Sequence, residues 1–482
     1  MTRRVHRLIV PLAPCALIAA VVTSAGLASG TAARDWTRFG YDAARGNATP
    51  NGIAASALPK LRRRQVTIDG TVDSSAIYLH GVVVRGAKHD TVFVTTTYGK
   101  TLALDATSDG VLWRFVPRGI SGWAGSSQIT TATPVADPSR RFVYAASPDG
   151  LVHKLSVATG REASGRWPVR VTLDPTHEKI ASALNFSRGL VLVTTGGYLG
   201  DAPPYQGHVV TIAAATGRIV SVFNSLCSDR RTLIKPSTCS ASDSAIWGRA
   251  GAVVEPGSGN LLVATGNGPW DGKTNWGDSV LELSANGSRL LQNWTPTNQA
   301  ELDHNDVDLG STSPAVLGAG LAVQGGKDGR LRLLDLTRLN GRTKSAGTRL
   351  GGELQTLTAP GDTDVFTAPA VWHDGSQTWI FVATGGGTGA FRLNGRRLAS
   401  AWAKGNEGTS PVLAGGLLYV FDPGGRGLRV YDPRSGSVIA TLSAGTGHWN
   451  SPIVADGRVI LPEGNANDHS QTGVLDIYSQ AG

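Results

Sequence analysis

The sequence predicts an all-β fold, an eight-bladed β-propeller of four-stranded antiparallel blades. Three observations predict it. One pattern of runs and turns recurs eight times, its short Val/Leu/Ile/Tyr runs are bounded by Gly, Asp and Pro, and no segment sustains a helical period. The seventh copy is clearest: Thr409-Ser410-Pro411-Val412-Leu413, then Leu417 to Phe421, Leu428 to Tyr431, the turn DPRSG, and Ser437 to Leu442. Four short strands cannot bury their own face, so the copies must stack and close into a ring.

Taken in chain order, residues 1–33 read first as a targeting segment. MTRRVHR is basic, the following LIVPLAPCALIAAVVTSAGLA is apolar, and ASG and TAA are small-residue sequences at its end. This is the pattern of a secretory signal peptide, which implies an exported protein, periplasmic or extracellular. A run of about 20 apolar residues also has the length of a membrane anchor. Cleavage would remove Arg3, Arg4 and Arg7 and no acids, taking the formal net charge from +9 to +6. The basic groups are scattered apart from Arg62-Arg63-Arg64, which argues against nucleic-acid binding. Cys227 and Cys239 stand in SLCSDRRTLIKPSTCS, and an even pair in an exported chain reads as a disulfide.

Residues 34–482 then form one propeller domain. Unit 1 contains TVFVTTTYGKTLALDATSDGVLWRF and unit 2 TATPVADPSRRFVYAASPDGLVHKLSVATG. Unit 3 holds GLVLVTTGGYLG and HVVTIAAATGRIVSVF, and unit 4 WGRAGAVVEPGSGNLLVATGNGPW and DSVLELSANG. Units 5 to 8 open at STSP, FTAP, GTSP and WNSP. Unit 8 has three convincing strands, and the run Leu61 to Ile68 is available to supply the fourth. It would close the ring and remove an exposed sheet edge. The glycine run at 384–389 is a hairpin turn, since no helix follows it as a dinucleotide site requires.

The up-and-down course of each blade places the loop before its first strand and the turn after its second on one face. Loops before first strands contribute Asp73, Gln128, Asn185, Trp247, Asp303 to Asp308, Asp364, Glu407 and Trp449-Asn450. Turns after second strands contribute Tyr198, Asn267, Lys327 and Glu463. The densest set belongs to units 4 and 5: an aromatic plate (Trp247), an amide oxygen (Asn267), the acidic run ELDHNDVDLG, and a cation (Lys327). Such a set can stack a flat ligand, bind a hard cation through oxygens and supply a general base. Each residue also has a plainer reading. Trp247 can pack between blades, Asn267 can serve the Asn-Gly turn, Asp308 can stabilise its loop, and Lys327 can be solvated.

These words resemble the quinoprotein alcohol dehydrogenases, propellers that carry pyrroloquinoline quinone (PQQ) and usually calcium. AIWGRAGAVVEPGSGNLLVATGNGPW is similar to the stretch whose Trp-Gly pair floors the quinone and whose Gly-Asn gives a metal ligand. The resemblance thus implies Trp247 as the floor and Asn267 as a ligand of calcium or a lanthanide. DHNDVDLGSTSP resembles the loop with the catalytic Asp, which implies Asp308 as base and metal ligand, with Asp306 second. GGKDGRLRLLD resembles the turn whose basic residue contacts the quinone, here Lys327. NWGDSVLEL and TPTNQAELDHNDVDLGSTSP are also similar to the polyvinyl alcohol dehydrogenase branch. By this resemblance the substrate is a small or polymeric alcohol and the electrons leave to a separate carrier such as a cytochrome c.

The chain departs from that pattern in two places. It has no adjacent cysteines, and after the second strand of unit 3 it offers Tyr198, with Asp201 the only nearby carboxylate, where the family places a calcium-binding Glu. There is no CxxCH for covalent haem. Two function classes follow: a dehydrogenase using the set in units 4 and 5, or a non-catalytic binding or assembly scaffold, with Trp449, Trp270 and Trp276 as recognition residues near the channel mouth.

Overall fold

The computed structural model describes Met1 and residues 34–341 and 344–480. The expected signal segment therefore lies outside the described residues, apart from Met1. Eight antiparallel sheets are arranged as successive meanders, each running from an innermost strand A to an outermost strand D. Blade 4 is Val253–Val254, Leu261–Ala264, Val280–Leu283 and Leu290–Trp294. Blade 5 is Ala315–Gly318, Leu321–Gln324, Arg330–Asp335 and Gln355–Thr358. Blade 7 follows the sequence reading closely, with strands Val412–Ala414, Leu417–Asp422, Gly427–Tyr431 and Val438–Ser443.

Closure is as expected. Leu61–Ile68 pairs antiparallel with Gly473–Gln480, Leu61 opposite Gln480 and Ile68 opposite Gly473, as the outer strand of blade 8. Val66, Ile68, Leu475 and Ile477 bury their side chains in one cluster, so the two ends of the chain share a core. Among the described residues no helix is long and apolar enough to cross a membrane. Cys227 and Cys239 form a disulfide, worth about 3 kcal/mol by loop-closure entropy for so short a loop.

Residues 34–60 carry no blade pattern and include a short 3-10 turn at Ala55–Lys60 that leads into Leu61–Ile68. They form a belt that visits the inner strands in ring order. Trp36 exchanges backbone hydrogen bonds with Tyr78 of blade 1, and Thr37 O accepts from Ala136 N of blade 2. Arg38 donates to Phe186 O of blade 3. Ala43 O accepts from Val254 N, Gly46 O from Val371 N and Asn47 O from Leu413 N, in blades 4, 6 and 7. Ala48–Thr49 then adds a short parallel strand beside Leu413–Ala414. Arg45 is buried at the middle of the belt, where its guanidinium donates to the carbonyls of Phe39, Ala183, Leu184 and Ala250. The belt's partners lie in the A strands or in the residues that lead directly into them, so it lines the inner side of the ring.

Two expectations need correction. The run before blade 5 is not all loop, because Gln299–His304 forms one short α-helix that carries Glu301 and Asp303. Asn185 does not reach the channel mouth. It begins strand A of blade 3, and its amide donates to Ala43 O and Ala252 O, so the belt satisfies it inside the wall.

Candidate active site

One end of the channel holds a cavity of ≈290 Å³ lined by loops from seven of the blades, near the small end of ligand pockets. Of the residues expected on this face, Asp73, Tyr198, Trp247, Asp308, Lys327 and Trp449 line it. Gln128 instead donates to Pro148 O, and Glu463 turns aside to pair with Arg63. Trp270 and Trp276 are not at the mouth: they bridge to each other, and Trp276 is buried with its Nε1 donating to Ser228 Oγ beside the disulfide loop.

Blades 4 and 5 meet very closely. A Cβ on Gly248 would lie 2.5 Å from the Thr312 carbonyl carbon, and one on Gly310 would strike the Gly266 backbone. This contact delivers Asp308 into the wall. Asp306 adopts a left-handed φ of 54°; the chain turns there, leaving Asp306 in solvent and sending Asp308 inward. Of the four acids in the run only Asp308 is buried, 4% exposed.

The Asp308 carboxylate is held at both oxygens. Oδ1 accepts from Asn267 N at 2.9 Å and Oδ2 pairs with Lys327 Nζ at 2.6 Å. Lys327 Nζ also lies 5.8 Å from the Trp247 ring centroid. The structure thus brings together Trp247, Asn267, Asp308 and Lys327, with Asn267 taking part through its backbone N–H. Burial raises the Asp308 pKa above the usual carboxylate value, although the Lys327 charge and the Asn267 hydrogen bond oppose it. The Lys327 pKa is also raised: burial lowers it, and Asp308 more than offsets this.

Gly266 makes room for this carboxylate, since a Cβ there would collide with Asp308 Oδ1. Gly266→Ala is expected to cost about 1–3 kcal/mol as an overpacking change and to push Asp308 off Lys327. Thermal unfolding and a crystal structure of the variant check both effects.

Several groups were missed. Asp278, in the word NWGD, is fully buried and accepts from Leu309 N at 3.0 Å, which pins the peptide just after Asp308. Burial pushes its pKa well above the usual carboxylate value, the Leu309 hydrogen bond opposing and the Asp308 charge adding to the rise. Lys179 and Arg249 also line the pocket. Arg249 lies two residues after Trp247 in a turn closed by Gly251 N donating to Gly248 O. Phe366 joins Trp247 and Trp449 in a row of rings, with centroids 5.9 and 5.0 Å apart, running from blade 4 through blade 6 to blade 8. Asp73 ties blade 1 to blade 8: it accepts from Trp449 N and Ala466 N and pairs with His448 Nδ1 at 2.7 Å. Burial would raise its pKa, but the His448 hydrogen bond and the Arg249 charge outweigh that and lower it.

The oxygen donors do not make up a calcium or lanthanide shell, which takes six to eight oxygens for Ca²⁺. Both Asp308 oxygens are engaged, the blade 3 position is Gly197-Tyr198, and Asp201 is exposed with its Oδ1 on Tyr205 OH. Among the described residues three or more metal-ligating side chains converge only at His80, Asp90 and Asp456, where Arg458 already pairs with both carboxylates. At Asp308 the positive charge is the Lys327 ammonium. A flat, anionic quinone does suit the pocket, which offers ring faces, a carboxylate and three cations.

Comparison with known proteins agrees with the architecture. Residues 67–221 match a family model described as outer membrane protein assembly factor BamB. No match is found among characterised proteins at the level of sequence. Among solved structures the chain is similar to a quinohemoprotein alcohol dehydrogenase, ADHIIG from Pseudomonas putida HK5, at 14% identity and TM-score 0.70, covering 93% of this chain and 80% of that one. It is similar to a europium-containing methanol dehydrogenase at 15% identity and TM-score 0.67, covering 93% and 98%. BamB from Moraxella catarrhalis aligns at 14% identity and TM-score 0.52, covering 87% and 99%. At these identities the likeness is one of fold. The matched residues 67–221 end before Trp247, so that match does not include the Asp308 site.

Proposed function

We infer that the channel mouth holds a quinone cofactor of the PQQ type and oxidises an alcohol. The observation that carries this reading is the buried Asp308 carboxylate, fixed by Lys327 and Asn267 N–H beside the Trp247 ring. A bound quinone supplies the electron sink, accepting two electrons and the carbon-bound hydrogen of the alcohol. Asp308 accepts the hydroxyl proton, and a pKa raised above the usual carboxylate value makes it a stronger base for that step. Lys327 orients Asp308 and presents positive charge where negative charge develops. Trp247 offers a ring face on which a flat ligand stacks. The words shared with the polyvinyl alcohol branch support a small or polymeric alcohol as substrate. Electrons then pass to a separate carrier such as a cytochrome c. The signal-like residues 1–33 and the disulfide support an exported setting.

The test is direct. Protein exposed to PQQ in the presence of EDTA, then desalted, is expected to retain a quinone absorption band and to reduce a dye with one or more of a panel of alcohols. Absence of both, with the fold intact, sinks the reading. The scaffold alternative is favoured by the BamB match over residues 67–221. It requires that a partner protein bind this face and that Asp308→Asn leave the binding unchanged.

A further inference from the structure

We propose that Lys179 and Arg249 form an anion subsite in the pocket wall and take the carboxylate edge of a flat aromatic acid. The inference deepens the reading of this pocket as a cofactor site and gives the ligand an orientation, carboxylates toward blades 3 and 4 and reactive edge toward Asp308.

Both cations are built into the wall. Lys179 lies just ahead of strand A of blade 3, with its N and O hydrogen-bonded to Gly196 O and N at 2.7 and 2.9 Å. Arg249 follows Trp247 by two residues, and its guanidinium carbon lies 5.0 Å from the Trp449 ring centroid. Among the described residues neither charged group makes an ion pair or a side-chain hydrogen bond, whereas the third pocket cation, Lys327, is already bound to Asp308. The nearby acids are committed elsewhere. Asp73 holds Trp449 N, Ala466 N and His448, and Asp201 accepts from Tyr205 OH. Tyr198 offers Lys179 only a ring, 5.8 Å from Nζ.

Two like charges held together in an enclosed place are costly until an anion joins them. The strain is visible in their acidities. Enclosure and the Arg249 charge bring the Lys179 pKa down to about 8, and enclosure brings that of Arg249 down to about 10, with Asp73 only partly opposing. An incoming carboxylate relieves both, and a guanidinium binds it in bidentate fashion. The rings of Trp247, Phe366 and Trp449 line the same cavity, which selects an aromatic acid over a small inorganic anion.

The experiment titrates the full chain with benzene-1,3,5-tricarboxylate, with its uncharged trimethyl ester and with PQQ, read by tryptophan fluorescence. The tricarboxylate is expected to bind and the ester not. Lys179→Met and Arg249→Gln should each weaken the tricarboxylate and PQQ at least tenfold, while Lys179→Arg retains most of the affinity and Arg249→Lys, which keeps the charge but loses the bidentate fork, falls between wild type and Arg249→Gln; both charge-keeping variants report that the fold is sound. Failure of the wild type to bind the tricarboxylate, equal binding of the ester, or unchanged affinity in Lys179→Met and Arg249→Gln overturns the proposal. The two readings separate cleanly. Tricarboxylate binding that needs both cations, without PQQ binding, leaves the subsite standing and sinks the quinone. PQQ binding indifferent to Lys179 and Arg249 does the reverse.

Discussion

Asp308→Asn is expected to lower turnover about 10²- to 10⁴-fold, the range for loss of a positioned general base, while leaving ligand affinity within a few-fold. The amide oxygen can still accept from Asn267 N, so the local fold is kept. Lys327 is part-exposed and retains Asp306 as a second partner, so its charge is not stranded. What disappears is the ability to take a proton. The pH profile gives a second readout. The base is active when ionised, and its pKa lies above the usual carboxylate range, so the wild-type rate should fall as pH drops through that raised pKa. Lys327→Met removes a charge that holds the pKa down, and the acid limb should therefore move to higher pH. Steady-state kinetics from pH 4 to 8 on the three proteins check both statements. An unchanged rate in Asp308→Asn removes Asp308 from the chemistry.

The sequence carried much of this arrangement because propeller geometry converts repeat position into spatial position. Trp247, Asn267, Asp308 and Lys327 share a corner for that reason, and Leu61–Ile68 could be assigned to blade 8 because a three-stranded unit leaves an edge to fill. The choice of Asp308 over its neighbours was harder to read. It depends on the left-handed turn at Asp306 and on the missing Cβ at Gly266, and neither is a property of the acidic run itself. Lys179 and Asp278 were invisible for a related reason: a lone Lys or Asp ahead of a strand is usually solvated, and only the packed ring shows these two facing a cavity or a buried peptide. The belt of residues 34–60 was the least legible part. Its hydrogen bonds go to inner strands spread around the ring, from Tyr78 to Leu413, so no local period records it.

That belt is where the largest stability effect is expected. Arg45 is 2% exposed and has no carboxylate partner among the described residues, yet its guanidinium donates to four carbonyls: two of blade 3, one of blade 4 and one of the belt itself. Enclosure brings its pKa well below the ordinary arginine value, with the Arg38 charge adding to the effect and Asp42 opposing it. Arg45→Met keeps much of the volume but leaves those carbonyls without their donor inside the channel. The cost of orphaning groups in a buried charged network is about 3–5 kcal/mol, large beside the 5–15 kcal/mol that separates most folded domains from their unfolded chains. Urea unfolding should report that loss, and hydrogen exchange should show residues 36–49 opening before the blades do, because the belt is the element whose anchor has gone. Cooperative unfolding with unchanged stability would mean that the backbone bonds to Tyr78, Ala136, Val254, Val371 and Leu413 hold the belt without the guanidinium.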